Sequence, residues 1–173
     1  MNTTLIIFST TDGHTESICN YIGNILSKKD DVKIYSIENI SEELLNSADK
    51  ILIGASIRYG KHSKLIFDFV SKYKDILDSM DNAFFSVNAV ARKSEKNEPD
   101  TNPYLIKFLE KSSWKPKKMA VFAGKIDYPK YKFIDKHVIR FIMLITGGPT
   151  DTKKSFEFTD WSKVADFANE AFD

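Results

Sequence analysis

Apolar residues along this chain recur in two rhythms that alternate. Short unbroken apolar runs stand at Thr4–Phe8, Val32–Tyr35, Lys50–Ala55, Ala83–Val87 and Met119–Ala123. Their length and their β-branched and aromatic content predict buried strands. Between them apolar residues fall three and four apart. Ile18, Ile22, Ile25 and Leu26 share a face in 14–27, and Ile66, Phe69, Val70, Tyr73 and Leu77 share one in 63–78. Leu105, Phe108 and Leu109 do so in 102–111, and Trp161, Val164, Ala165, Ala168 and Phe172 in 159–172. These spacings predict amphipathic helices. Strands that are apolar throughout, rather than alternating, are covered on both faces. The pattern therefore predicts an α/β fold with an open five-stranded parallel sheet between two helical layers. Right-handed crossovers then gather every strand-to-helix loop at one sheet edge, where such folds bind ligands.

Three of those loops carry chemistry. The first follows Phe8 as Ser9-Thr10-Thr11-Asp12-Gly13-His14-Thr15. A helix N-terminus presents unpaired N–H groups and partial positive charge to an anion. The hydroxyls of Ser9, Thr10, Thr11 and Thr15 add donors, and Gly13 permits close backbone approach. The loop has no lysine and matches neither the triphosphate nor the dinucleotide glycine pattern, which leaves a monophosphate. A second reading stands beside it, in which Asp12 or Thr11 only caps the helix. The other two loops are ASIRYGKHS, at 55–63, and SVNAVARK, at 86–93. Tyr59 offers a ring to stack on a flat ligand. Arg58, Lys61, Arg92 and Lys93 are cations for an anionic substrate, though solvated side chains would look the same.

Composition narrows the class. With 173 residues the chain suits one domain over 1–173. Residues 125–153 break the strand and helix alternation and read as an insertion. Cys19, the only cysteine, excludes an internal disulfide and is expected to pack in the first helix. His14, His62 and His137 have no ligand spacing, so no metal site is expected, and each is read as a surface histidine. No apolar run reaches the ~20 residues that span a bilayer, and residues 1–10 lack the pattern of a signal peptide. A cytoplasmic location follows as the expectation. The net charge of +1 hides nine basic residues against two acidic ones between Lys111 and Arg140. That excess is either a face for an anionic partner or a solvated surface.

FSTTDGHT, IGASIRYG, SVNAVARK, WKP at 114–116, AGKIDYPKY at 123–131, GGPTDT at 147–152 and TDW at 159–161 occur in this order. Together they resemble the flavodoxin-type protoporphyrinogen oxidases, the menaquinone-dependent dehydrogenases of bacterial haem synthesis. Asp12 departs from the Thr-x-Thr-Gly-x-Thr form of the flavodoxin phosphate loop. The resemblance implies a flavodoxin-like sheet of order 2-1-3-4-5 with an insertion in its last strand. It implies FMN, with residues Ser9, Thr10, Thr11, Asp12, Gly13, His14 and Thr15 at the phosphate. Ser56, Ile57, Arg58, Tyr59 and Gly60 would flank the ring on one side, and Asn88, Ala89, Val90, Ala91 and Arg92 on the other. Asp12 is then expected to point away from the phosphate and cap the helix.

The implied activity is oxidation of protoporphyrinogen IX to protoporphyrin IX with menaquinone or another quinone as acceptor. No side chain stands out as a catalytic base, and nucleic acid is not an expected partner. The alternatives are a flavodoxin-like electron carrier and an NAD(P)H:quinone reductase. Phe133–Ile145 in the insertion is mostly apolar, with Asp135, Lys136, His137 and Arg140 interrupting it. It is read either as a buried helix or as one lying on an anionic membrane surface or against substrate, peripheral on the cell membrane.

Overall fold

Strand β1 (Thr3–Ser9) is an interior strand of the sheet, and its residues Thr4 to Ile7 are buried on both faces. The computed structural model describes residues 1–173. In chain order β1 is followed by α1 (His14–Leu26), β2 (Asp31–Ser36), a short α2 (Glu42–Asn46) and β3 (Lys50–Arg58). Next come β4 (Lys61–His62), α3 (Lys64–Lys72), α4 (Lys74–Ser79), β5 (Asp81–Asn88) and α5 (Pro103–Lys111). The chain ends with β6 (Lys118–Ala123), β7 (Lys125–Asp127), α6 (Phe133–Ile145), β8 (Ser155–Glu157) and α7 (Trp161–Glu170). The parallel sheet runs β2-β1-β3-β5-β6, which is the expected order of the five predicted strands.

Side-chain alternation along the strands builds two cores. Leu5, Ile7, Ile51, Ile53, Phe84 and Val121 meet α3, α4 and α5 on one face. Ile6, Leu52, Phe85 and Phe122 meet α1 and α7 on the other, where Cys19 is packed as expected. Burial pushes the Cys19 thiol well above its usual range. Gly54 is opposite Phe85, and a Cβ there would come within 2.3 Å of the Phe85 ring. That ring lies across the sheet only because position 54 has no side chain.

Three elements differ from expectation. The helix over 63–78 divides at Tyr73, whose φ of −107° leaves helical geometry while Tyr73 and Leu77 stay buried. The third strand does not stop at Ala55. It runs to Arg58 and turns back through Tyr59 and Gly60 into β4, with Arg58 opposite Lys61. Both turn residues have positive φ, 50° and 77°, as a two-residue hairpin of the strand's own twist requires. Tyrosine in that region costs about 1 kcal/mol. The insertion leaves after β6 through β7 and returns through β8, its antiparallel partner.

At the sheet edge away from the loops, Asp30 is buried and accepts from Thr4 Oγ1 at 2.7 Å and Lys50 Nζ at 2.9 Å. It ties β1 and β3 to the start of β2. Burial alone would raise its pKa, but the two hydrogen bonds and the Lys50 charge outweigh burial and hold it below the usual carboxylate value. Its stabilisation is therefore complete above about pH 4 and lost as pH falls through the native value. Asp30→Asn should cost about 1–3 kcal/mol at pH 7 in urea denaturation. The deficit against wild type should shrink below about pH 4.

Candidate functional site

The loops after β1, β3 and β5 meet at one sheet edge, and α6 roofs them. They enclose a cavity of about 340 Å³. Its polar end is the first loop. Gly13 holds a φ of 86° and stands at the N-cap of α1, which no side chain caps. The Gly13 N–H donates to Thr10 Oγ1 at 3.0 Å, folding the loop back on itself. Thr15 Oγ1 is buried and has no hydrogen-bond partner. An uncapped helix start with an orphaned buried hydroxyl is a costly arrangement unless an anion completes it. The phosphate of a mononucleotide fits both features.

Asp12 does not cap the helix. Its carboxylate pairs with Arg58 Nη1 at 2.8 Å, which corrects the expected role of this residue. Arg58 also lies 3.6 Å from Asp135 on α6 and stacks over Tyr131, 5.1 Å from the ring centre. The Tyr59 hydroxyl donates to the other oxygen of Asp135. One guanidinium thus binds the loop after β1 to the insertion, and the strained Tyr59 backbone aims a second donor at the same carboxylate. Arg58 is committed to partners in the chain, and Tyr59 is half exposed at the rim.

The third loop is held by amides. Asn88 accepts from the Ala91 N–H at 3.0 Å and exchanges hydrogen bonds with Asn102 at 3.1 and 3.3 Å. Asn102, fully buried, also caps α5 through the N–H groups of Tyr104 and Leu105. This pair fixes the loop between them, and the long polar stretch over 92–103 gave no sign of it. Arg92 donates to the carbonyls of Ala89 at 2.7 Å and Thr146 at 3.0 Å. It therefore neutralises the C-terminal end of α6 rather than standing free for substrate.

Thr10, Thr11, Asp12, His14 and Thr15 line the cavity with Ser56–Gly60, Asn88–Val90 and Arg92. Ser9 and Lys61 line a neighbouring cavity instead, and Lys93 lines neither. Gly13 and Ala91 serve through their backbone. Ile139, Ile142 and Met143 of α6, with Ile126 and Tyr131, supply an apolar wall; the helix reads as apolar in the sequence, but not which of its residues face the cavity. Two histidines are not on the surface. His62 is buried against Ser86 Oγ at 3.0 Å, and burial lowers its pKa to about 4. His14 is half-buried, and burial lowers its pKa too. Its Nε2 lies 2.6 Å from Thr159 Oγ1, whose hydrogen goes to the Ala123 carbonyl. His14 therefore carries its proton on Nε2.

The flavodoxin domain model matches residues 5–153. A protoporphyrinogen IX dehydrogenase [quinone] of Escherichia coli K12 is 45% identical over 96% of this chain and 93% of its own length. The chain belongs to this branch of the flavodoxin family. A protein of the same name from Leishmania major is 44% identical over 96% of this chain and 73% of its own. Among solved structures, oxidised flavodoxin 1 of Bacillus cereus superposes with a TM-score of 0.51 at 16% identity, covering 98% of this chain and 96% of its own. That similarity bears on the fold alone.

A flavodoxin-family chain with this cradle carries FMN. Thr10, Thr11 and Thr15 would hold its phosphate, and the loops at 57–60 and 88–90 with α6 would bound its flat ring. Thr15→Val removes a hydroxyl that has no partner in the free protein. The variant should keep or slightly raise the melting temperature without FMN, and bind FMN about tenfold more weakly in a fluorescence titration.

Proposed function

We propose that this protein, with FMN bound, oxidises protoporphyrinogen IX to protoporphyrin IX and passes the electrons to a quinone. The insertion carries the reading. The 45% identity extends over 96% of the chain, so it includes this segment, and α6 makes the open phosphate cradle into a slot with an apolar wall. Such a slot suits a flat ring in contact with a large apolar substrate, which a carrier exposing its cofactor edge does not need.

FMN supplies the two-electron chemistry when bound. The chain supplies placement and exclusion of water. Arg58 and Arg92 fasten the roof at its two ends. Ile139, Ile142 and Met143 shield the slot from solvent. Conversion of the porphyrinogen removes six electrons and six protons, so each substrate needs three quinones and yields three quinols. Anaerobic protein loaded with FMN should raise porphyrin fluorescence above the control without enzyme when given protoporphyrinogen and a menaquinone analogue. No rise with any quinone would remove the enzymatic reading and leave the carrier.

Quinones are dissolved in membranes, and the outer face of α6 matches that setting. Phe133, Ile134, Phe141, Leu144 and Ile145 are 62 to 77% exposed on one short helix. Lys130, Lys132 and Arg140 are exposed beside them. No helix is long and apolar enough to cross a membrane. The chemistry is that of a helix lying on an anionic lipid surface. Phe141→Asp with Leu144→Asp should abolish co-sedimentation with vesicles containing phosphatidylglycerol, and turnover with a water-soluble quinone should remain.

A further inference from the structure

A second cavity, of about 590 Å³, lies on the other side of the hairpin formed by the end of β3 and β4. It shares a wall with the first, made of Ser56–Gly60 and Tyr104. Arg58, Lys61, Lys64, Lys107 and Lys111 line it, with no carboxylate among its lining residues. The chain as a whole is nearly neutral, at +1, so this is a local excess. Its floor is aromatic, with Phe67, Phe108 and Tyr104.

The lysines are not used to hold the fold. Lys64 pairs with Asp68 one turn along α3, whereas Lys61, Lys107 and Lys111 form no ion pair within the chain. Lys107 and Lys111 stand four apart on α5, a like-charge spacing that slightly destabilises a helix. Lys61 faces them from β4 across the same cavity. Cations gathered from two elements over an aromatic floor match a flat, amphipathic molecule carrying carboxylates on short arms.

We infer that this cavity is the carboxylate subsite of the substrate, with Lys61, Lys107 and Lys111 receiving the propionates of a tetrapyrrole. The inference rests on the function proposed above. It replaces Arg92 and Lys93 in that role, since Arg92 is bound to α6 and Lys93 is outside the cavity. Carboxylate contact on one side of the shared wall leaves the apolar body of the substrate against Tyr59, Gly60 and Tyr104, next to the slot.

The test uses FMN-loaded protein and mesoporphyrin IX, a porphyrin already oxidised and so not turned over, beside its dimethyl ester. Affinity is read by porphyrin fluorescence anisotropy. Wild type should bind the diacid about tenfold or more tightly than the diester. Lys107→Gln with Lys111→Gln should weaken the diacid about tenfold, leave the diester unchanged and leave the FMN content unchanged. Lys61→Gln, on the opposite wall, should act in the same sense. Equal affinity for diacid and diester, or variants that bind the diacid as wild type does, would overturn the subsite. So would displacement of the porphyrin by micromolar NADPH, which would make the cavity a dinucleotide site. The oxidation assay separates the two levels. Turnover by wild type with unaffected lysine variants removes the subsite alone. Selective diacid binding without turnover supports the subsite and removes the reaction, and neither binding nor turnover removes both.

Discussion

Burial of both faces of the central sheet is the constraint from which the rest of this molecule follows. A strand covered on two sides can offer polar chemistry only at its ends, and parallel strands with right-handed crossovers send all their helix-bound loops to one end. The threonines after β1, the arginine at the end of β3 and the asparagine at the end of β5 are neighbours for that reason, although some 80 residues separate the first from the last. The opposite end is tied by the buried Asp30, which accepts from Thr4 and from the partly exposed Lys50.

On this scaffold the chain departs from a bare mononucleotide fold by what it ties down. The cradle contains an aspartate, an unhelpful charge beside a phosphate, and Arg58 neutralises it while reaching to the insertion. The hairpin that presents Arg58 accepts a tyrosine in a left-handed conformation. Strain of that kind persists where surrounding contacts over-determine it, and here the Tyr59 hydroxyl bond to Asp135 supplies them. Attraction between loop and insertion is thus achieved with charges that would otherwise repel the ligand.

The sequence displays what is periodic and hides what is paired. All five strands of the parallel sheet, the helix over 133–145 and the hydroxyl-rich loop after β1 are visible because apolar spacing and turn chemistry are local properties. Asp12 looks like a cap because a turn aspartate commonly is one, whereas its partner is 46 residues away. The Asn88–Asn102 pair, the β7–β8 hairpin and the convergence of Lys61 with Lys107 are tertiary matches with no repeat to reveal them. The continuation of β3 through Arg58 was concealed by a turn whose first residue is not the usual asparagine. The insertion's inner wall was legible as apolar, but not which half of its residues would face inward.

That helix is fastened at its two ends by different physics. Near its start the fastening is ionic, Asp135 to Arg58. At its end the chain turns through Gly147, with a φ of 70°, and the Gly148 N–H returns to the Met143 carbonyl at 2.7 Å. The Arg92 guanidinium fills the space beside Gly148, where a Cβ would meet it at 3.0 Å. Dissolved salt screens the first fastening and barely touches the second, which is packed and partly buried. The roof is therefore held by two anchorages of unequal sensitivity to salt, an ion pair at the aspartate and hydrogen bonds to the carbonyls at the glycine turn.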